Sequence, residues 1–123
     1  MEKKKHRILN IGSRDVELEF IDPSFSEDKL CDCYGMWEQR LNKITIQKSL
    51  QTPELEKTIL HELLHTFVSE SKLDQNILSE DKDEENLISH FETQIYQFFK
   101  NNPEMVIVIF GHLIKRWLIS KKV

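Results

Sequence analysis

Disulfide frameworks, low-complexity segments and membrane spans are all missing from this 123-residue chain. Its only cysteines, Cys31 and Cys33, stand two apart, a poor spacing for a disulfide framework. With three glycines and three prolines, collagen-like and Pro/Gly-rich disordered classes are excluded. The longest apolar stretch, Met105 to Phe110, is far too short to cross a bilayer, so no membrane partner is expected. The first residues are charged and no useful apolar run follows, which argues against a signal peptide and for a cytoplasmic protein. An excess of positive charge is lacking too. At a net charge of −4 a nucleic-acid surface is not the expectation. The basic clusters Lys3-Lys4-Lys5-His6-Arg7 and Lys115-Arg116 with Lys121-Lys122 read as solvated chain ends.

What remains is a globular composition, 39% hydrophobic and 31% charged, in a chain long enough for a single domain over residues 1–123. The first third reads as β. Arg7 to Ile11 and Val16 to Ile21 flank the turn-forming Gly12-Ser13-Arg14-Asp15, which predicts a hairpin. Val16, Leu18 and Phe20 alternate with Glu17 and Glu19, the pattern of a half-buried strand. Tyr34 to Trp37 and Lys43 to Gln47 predict a second pair of strands turning around Gln39 to Asn42.

From Thr52 the period changes to that of a helix. Thr52 suits the N-cap, Pro53 the first helical position, and Glu54 and Glu56 the positive end of the dipole. Leu60, Leu63, Leu64 and Phe67 form its apolar stripe. Ser69 to Glu80 reads as a connecting loop. A second helix is predicted from Asp81 or Asp83 to Lys100 with Ile88, Phe91, Ile95 and Phe98 inward. Asn102-Pro103-Glu104 opens a third, carrying Val106, Ile109, Phe110, Leu113 and Trp117, which could also supply an interface. The expected class is therefore α+β: small N-terminal antiparallel strands followed by three helices.

The first helix contains His61-Glu62-Leu63-Leu64-His65, an HExxH segment. Imidazoles at i and i+4 lie one turn apart on one helix face and can reach a single metal ion. Glu62 projects beside that face, where it can take a proton from a metal-activated water. By chance this composition would yield the motif only roughly 0.02 times. Zn2+ is the expected cofactor, with His61 and His65 as ligands and Glu62 as general base.

Catalytic zinc takes three protein ligands and keeps one position open. A short-spaced third histidine is absent, because Ser71 stands where it would fall. The search moves to the second helix, to Glu84, Glu85, His90 and Glu92. At about 100° per residue, Glu85 and Glu92 flank the Ile88/Ile95 stripe, whereas Glu84 falls near its centre. With Asp81 as N-cap, Glu84 would also occupy the third helical position, where a glutamate caps the backbone. Glu92 requires an offset of two further turns and reads as solvated; His90 lies on the polar side. Glu85 is favoured, with Glu84 as the alternative.

The order Tyr34-Gly35, Ile44-Thr45-Ile46, Thr58-Ile59-Leu60 before the HExxH segment, Glu84-Glu85-Asn86-Leu87-Ile88 and Asn101-Asn102-Pro103 resembles small phage- and prophage-encoded zinc metallopeptidases over roughly residues 30 to 105. These are similar to metallopeptidases that cleave phage and stress-response repressors. The resemblance implies a minimal, gluzincin-like zincin whose third ligand is a glutamate three residues before a small or apolar position. Glu85, three before Ile88, matches. The chain departs from the repressor-cleaving group in lacking Ala-Asn after that ligand.

Other candidates are weaker. Tyr34, Tyr96 or Arg40 could stabilise a developing oxyanion, with Tyr34 favoured because its strand could also pair with an extended peptide. Cys31 and Cys33 could join His6 or His112 at a second zinc only with further ligands, and two thiols alone make no site. Trp117, Ile119 and Phe98-Phe99 read as core or partner contacts. Two functions follow: a zinc metallopeptidase acting on a protein or peptide substrate, or a catalytically silent, zinc-stabilised phage protein that binds a host or phage regulatory protein.

Overall fold

The computed structural model of the protein describes residues 5–22, 34–78 and 80–121. Cys31 and Cys33 lie outside the described residues. Two compact units divide the chain, Met1–Glu92 and Thr93–Val123, and each is described by itself.

The first unit opens with a hairpin of β1 (Lys5–Ile11) and β2 (Arg14–Ile21) around the two-residue loop Gly12-Ser13. Gly12 has φ +60, as a tight hairpin loop with glycine in first place requires. β3 (Gly35–Glu38) and β4 (Lys43–Gln47) form the second predicted pair, joined by a 3-10 turn over Gln39–Leu41. Their arrangement differs from the all-antiparallel expectation. The sheet order is β1-β2-β4-β3, and β2 pairs with β4 in parallel, Leu18 opposite Ile44 and Phe20 opposite Ile46. β4 takes an inner position because Ile44, Thr45 and Ile46 are all buried, which an edge strand does not provide.

One face of this mixed sheet carries the core: Ile11, Val16, Leu18, Ile44 and Ile46, with Leu9, Phe20 and Trp37 around them. Across it lies α1 (Thr52–Ser71), which contributes Leu55, Ile59 and Leu63. Its N-cap is Gln51 rather than Thr52, with Pro53 in the first turn as expected. Of the predicted leucine stripe, Leu63 packs against the sheet core, and polar residues share that face. The buried residues of α1 are Glu62, Thr66, Val68 and Ser69, and Leu55, Ile59, Glu62, Thr66 and Ser69 recur at helical spacing. Leu64, Phe67 and Val68 instead line an apolar groove with Leu87, Ile88 and Phe91.

Buried polar groups need partners, and the seam supplies them. Thr66 Oγ1 donates to the Glu62 carbonyl at 2.9 Å, and Arg14 Nη1 donates to Ser69 Oγ at 3.2 Å. At the end of α1, Glu70 accepts from Ser13 N–H at 2.7 Å and from the Ser13 hydroxyl at 2.9 Å, and pairs with Arg14 Nε at 3.0 Å. This lashes the helix to the hairpin loop. A Cβ on Gly12 would displace the Glu70 carboxylate from this contact, and the φ itself favours glycine.

The span expected as one loop, Ser69 to Glu80, holds the end of α1 and a short α2 (Leu73–Asn76). Lys72, at φ 63, turns the chain between them. α3 (Asp81–Asn101) and α4 (Glu104–Lys121) follow, which makes four α-helices among the described residues rather than three. In α3 only Ile88 is buried among the described residues, and Phe91 and Phe98 are exposed rather than inward. In the second unit Phe99 meets Phe98 and Phe110, and no described residue of α4 is buried.

The bonds from Ser13, with Arg14 alongside, hold the Glu70 carboxyl below its ordinary value. A lowered carboxyl contributes stability above about pH 4.5, its unfolded value, and loses it as pH falls through the folded value. Glu70→Gln should therefore lower the melting temperature at pH 7, and the gap to the parent should narrow as the pH is taken well below 4.5. A gap that stays constant over that range in thermal melts would rule this account out.

Candidate metal centre

Because Glu62, Thr66 and Ser69 face the sheet, residues one position earlier on the helical wheel turn about 100° away. His61 and His65 stand there, ring centroids 5.0 Å apart, on the flank of α1 that looks to the first turns of α3. Both rings are largely buried, and α3 answers them with carboxylates on both nitrogens. His61 Nε2 lies 2.7 Å from Glu85 Oε1, and His65 Nε2 lies 2.9 Å from Glu85 Oε2. On the far sides, His61 Nδ1 lies 3.0 Å from Glu92 Oε1 and His65 Nδ1 2.5 Å from Glu84 Oε2.

A count of protons gives this arrangement its meaning. Two neutral imidazoles carry two N–H groups, yet four ring nitrogens face carboxylate oxygens. If Nδ1–H of each ring donates to Glu92 and Glu84, both Nε2 lone pairs point at the two oxygens of Glu85. Lone pairs facing a carboxylate are not bonded. The contact needs either a proton on each Nε2 or a cation between the three groups. One donor atom from each of His61, His65 and Glu85 lies within 4.8 Å of the others, a spread suited to one ion. The donor set, two imidazoles and a carboxylate, is one that zinc takes. Carboxylates on the opposite ring nitrogen, as supplied here by Glu84 and Glu92, fix the orientation of ligating histidines.

Glu62 sits beneath this group, 8% exposed. Burial pushes its carboxyl up, His61 and His65 pull it down, and Glu85 and the Trp37 main-chain N–H act in opposite senses at smaller size. The Trp37 bond ties Glu62 to β3. That strand approaches α1 closely because Gly35 has no side chain. A Cβ there would come within 2.7 Å of Thr58 Cγ2 and 2.9 Å of Ile46 Cδ1.

The result is a cleft of about 670 Å³ between β3, α1 and the start of α3. Five glutamates line it (Glu54, Glu62, Glu84, Glu85 and Glu92) against one lysine, Lys57. Glu85 is its solvent-facing ligand candidate at 53% exposure. Tyr34 stands at the rim, half exposed, with Trp37 alongside.

His61, Glu62, His65, Glu85 and Tyr34 thus line one cleft. Two readings are corrected. Glu92 is not a solvated residue two turns out of reach: it meets Nδ1 of His61, the nitrogen turned away from Glu85. An imidazole presents nitrogens on two sides, so one ring serves carboxylates two helical turns apart. Glu84 is not a backbone cap either. α3 begins at Asp81, which puts Glu84 beyond the third position, and its carboxylate goes to His65. The heptad spacing of Glu85 and Glu92 was the available signal. Trp37 N–H carried none, since main-chain donors have no sequence signature. His90 is exposed and bonded to the Asn86 carbonyl of its own helix. Arg40 is exposed and absent from the cleft lining. Tyr96 and the exposed His112 belong to the second unit.

Comparison with protein-family models, curated proteins and solved structures finds no match to this chain.

Gly35→Ala should cost about 1–3 kcal/mol through overpacking. Thr58→Ser removes the nearer clashing methyl but keeps the hydroxyl that donates to the Glu54 carbonyl at 2.7 Å. Denaturant unfolding of the pair should therefore show part of the loss recovered in the double variant. Strictly additive losses would exclude the close approach at Thr58 as the cause.

Proposed function

We propose that the chain is a zinc-dependent metallopeptidase-like protein of minimal, gluzincin-like type, with His61, His65 and Glu85 as ligands and Glu62 as general base. The observation that carries the reading is the meeting of two Nε2 atoms on the two oxygens of Glu85, with Nδ1 of each ring held by a further carboxylate. A structural ion pair would not need both nitrogens of both rings.

When bound, zinc would polarise a peptide carbonyl and make water acidic enough to lose a proton near neutral pH. Glu62 takes that proton on its carboxylate and returns it to the departing amine. Its raised proton affinity, set mainly by burial, suits a group that must hold a proton for part of the cycle. Tyr34 is the donor at the rim for the developing oxyanion. The Tyr34 main-chain carbonyl accepts from Gln47 N–H at 2.9 Å, so by alternation Gly35 and Trp37 turn their main-chain groups to the outer edge of β3, where the Trp37 N–H is already given to Glu62. An extended peptide could pair with the rest of that edge.

A second reading draws on the same burial of Glu62. A carboxylate 8% exposed and bonded to Trp37 could be structural, leaving a zinc-stabilised protein that binds a host protein without cleaving it.

Protein purified without added metal should carry near-stoichiometric zinc. Glu85→Ala should abolish retention, whereas Glu84→Gln and Glu92→Gln should weaken it about 10- to 100-fold. Loss no greater for Glu85→Ala than for Glu84→Gln would remove Glu85 from the ligand set. Glu62→Gln distinguishes the two readings. Hydrolysis of a fluorescence-quenched peptide library should fall at least about 100-fold with zinc retained; a parent chain that holds zinc but cleaves nothing would favour the binding protein.

A further inference from the structure

The second unit presents a surface that the metal centre does not use. Its helix α4 exposes nine large apolar side chains, among them Ile107, Ile114, Trp117 and Leu118. They are 42–72% exposed, and around the helix they offer on the order of 1,000 Å² of apolar surface. Monomeric proteins rarely leave that much apolar surface open.

The arrangement of these residues identifies the occupant. Phe110 turns toward Phe99 within the unit. The adjacent face of α4 carries Glu104, Ile107, Gly111, Ile114, Leu118 and Lys121, an unbroken alternation of three- and four-residue steps. That is the seam of a helix pair. The missing side chain of Gly111 leaves a groove of about 440 Å³ along it, lined by Ile107, Ile114 and Leu118 and, on one flank, by Lys115 and Ile119.

We propose that this seam pairs with the same seam of a second copy, antiparallel, about a two-fold axis between Gly111 and Ile114. In that register Ile107 faces Leu118 of the other chain and Ile114 enters the notch at Gly111. Glu104 at one end meets Lys121 at the other. Each contact occurs twice, as a closed two-fold interface requires. A parallel pair would set Glu104 against Glu104, Lys121 against Lys121 and one notch against the other. A membrane surface is the poorer fit, because a helix lying in it needs one apolar and one charged face. The remaining side of α4 mixes Val108 and Ile109 with His112 and Arg116. No helix among the described residues is long and apolar enough to cross a membrane.

Sedimentation equilibrium of the full chain over about 1–100 µM should show a species of twice 14.7 kDa. Gly111→Leu fills the notch, and within one copy its Cβ meets only Ile107 Cγ2, at 3.3 Å. It should raise the dimer dissociation constant at least about tenfold while helicity by circular dichroism stays unchanged or rises. Glu104→Lys and Lys121→Glu should each weaken the dimer a few-fold, and the double exchange should restore it, as only the antiparallel register allows. A parent chain that stays monomeric, a dimer indifferent to Gly111→Leu, or a double exchange no tighter than the singles would each overturn the proposal. So would monomers co-sedimenting with phosphatidylserine vesicles in place of self-association.

Discussion

The seating of α1 on β3 is the contact on which the rest of the first unit depends. At Gly35 the strand comes so close that a single added carbon would strike Thr58 and Ile46. At Trp37 the same strand gives its N–H to Glu62. These two points set the rotation of α1 about its own axis. Once Glu62, Thr66 and Ser69 face the sheet, helical geometry leaves His61 and His65 no choice but the flank toward α3. The core packing and the candidate chemistry are two faces of one helix, and neither can turn without the other.

Electrostatics gives that flank its character. Glu84, Glu85 and Glu92 converge from α3 on two imidazoles, with Glu62 below and Glu54 on the same cleft wall. Neutral histidines leave this concentration of carboxylates uncompensated except for Lys57. Positive charge placed at the two Nε2 atoms relieves it, through protons or a metal ion. Under the zinc reading, ion binding and the stability of this unit are one equilibrium, because the ligand set comes together only in the folded chain. The solvent-facing position of Glu85 leaves the entrance open on the side where an ion and a substrate would arrive.

The two units solve the problem of apolar surface differently. In the first, the sheet and α1 cover each other, and the residues of α1 that do not face the sheet line a groove with Leu87, Ile88 and Phe91. In the second, Phe99 and Phe110 meet, but no described residue of α4 is buried. A helix apolar on several sides is normally buried. Self-pairing through the Gly111 seam would cover it without any residue of the metal centre.

Local periodicity made much of this legible in the amino-acid sequence. The HExxH helix, the alternating strands and a glutamate on the following helix all rest on spacings of two to seven residues, where chain geometry leaves little freedom. The candidate residues His61, Glu62 and His65 and the α+β order follow from these alone. Tertiary packing decided the rest. It set β4 parallel to β2, because burying Ile44, Thr45 and Ile46 together required an inner position. It set Glu62, Thr66 and Ser69 beside Leu63 on the sheet and turned Leu64 and Phe67 away, because the sheet could supply partners for Glu62 and Ser69. It also sent Glu92 and Glu84 to the far ring nitrogens. No local pattern encodes which side of an imidazole a distant helix will meet, since that depends on how two elements already placed by the core approach each other.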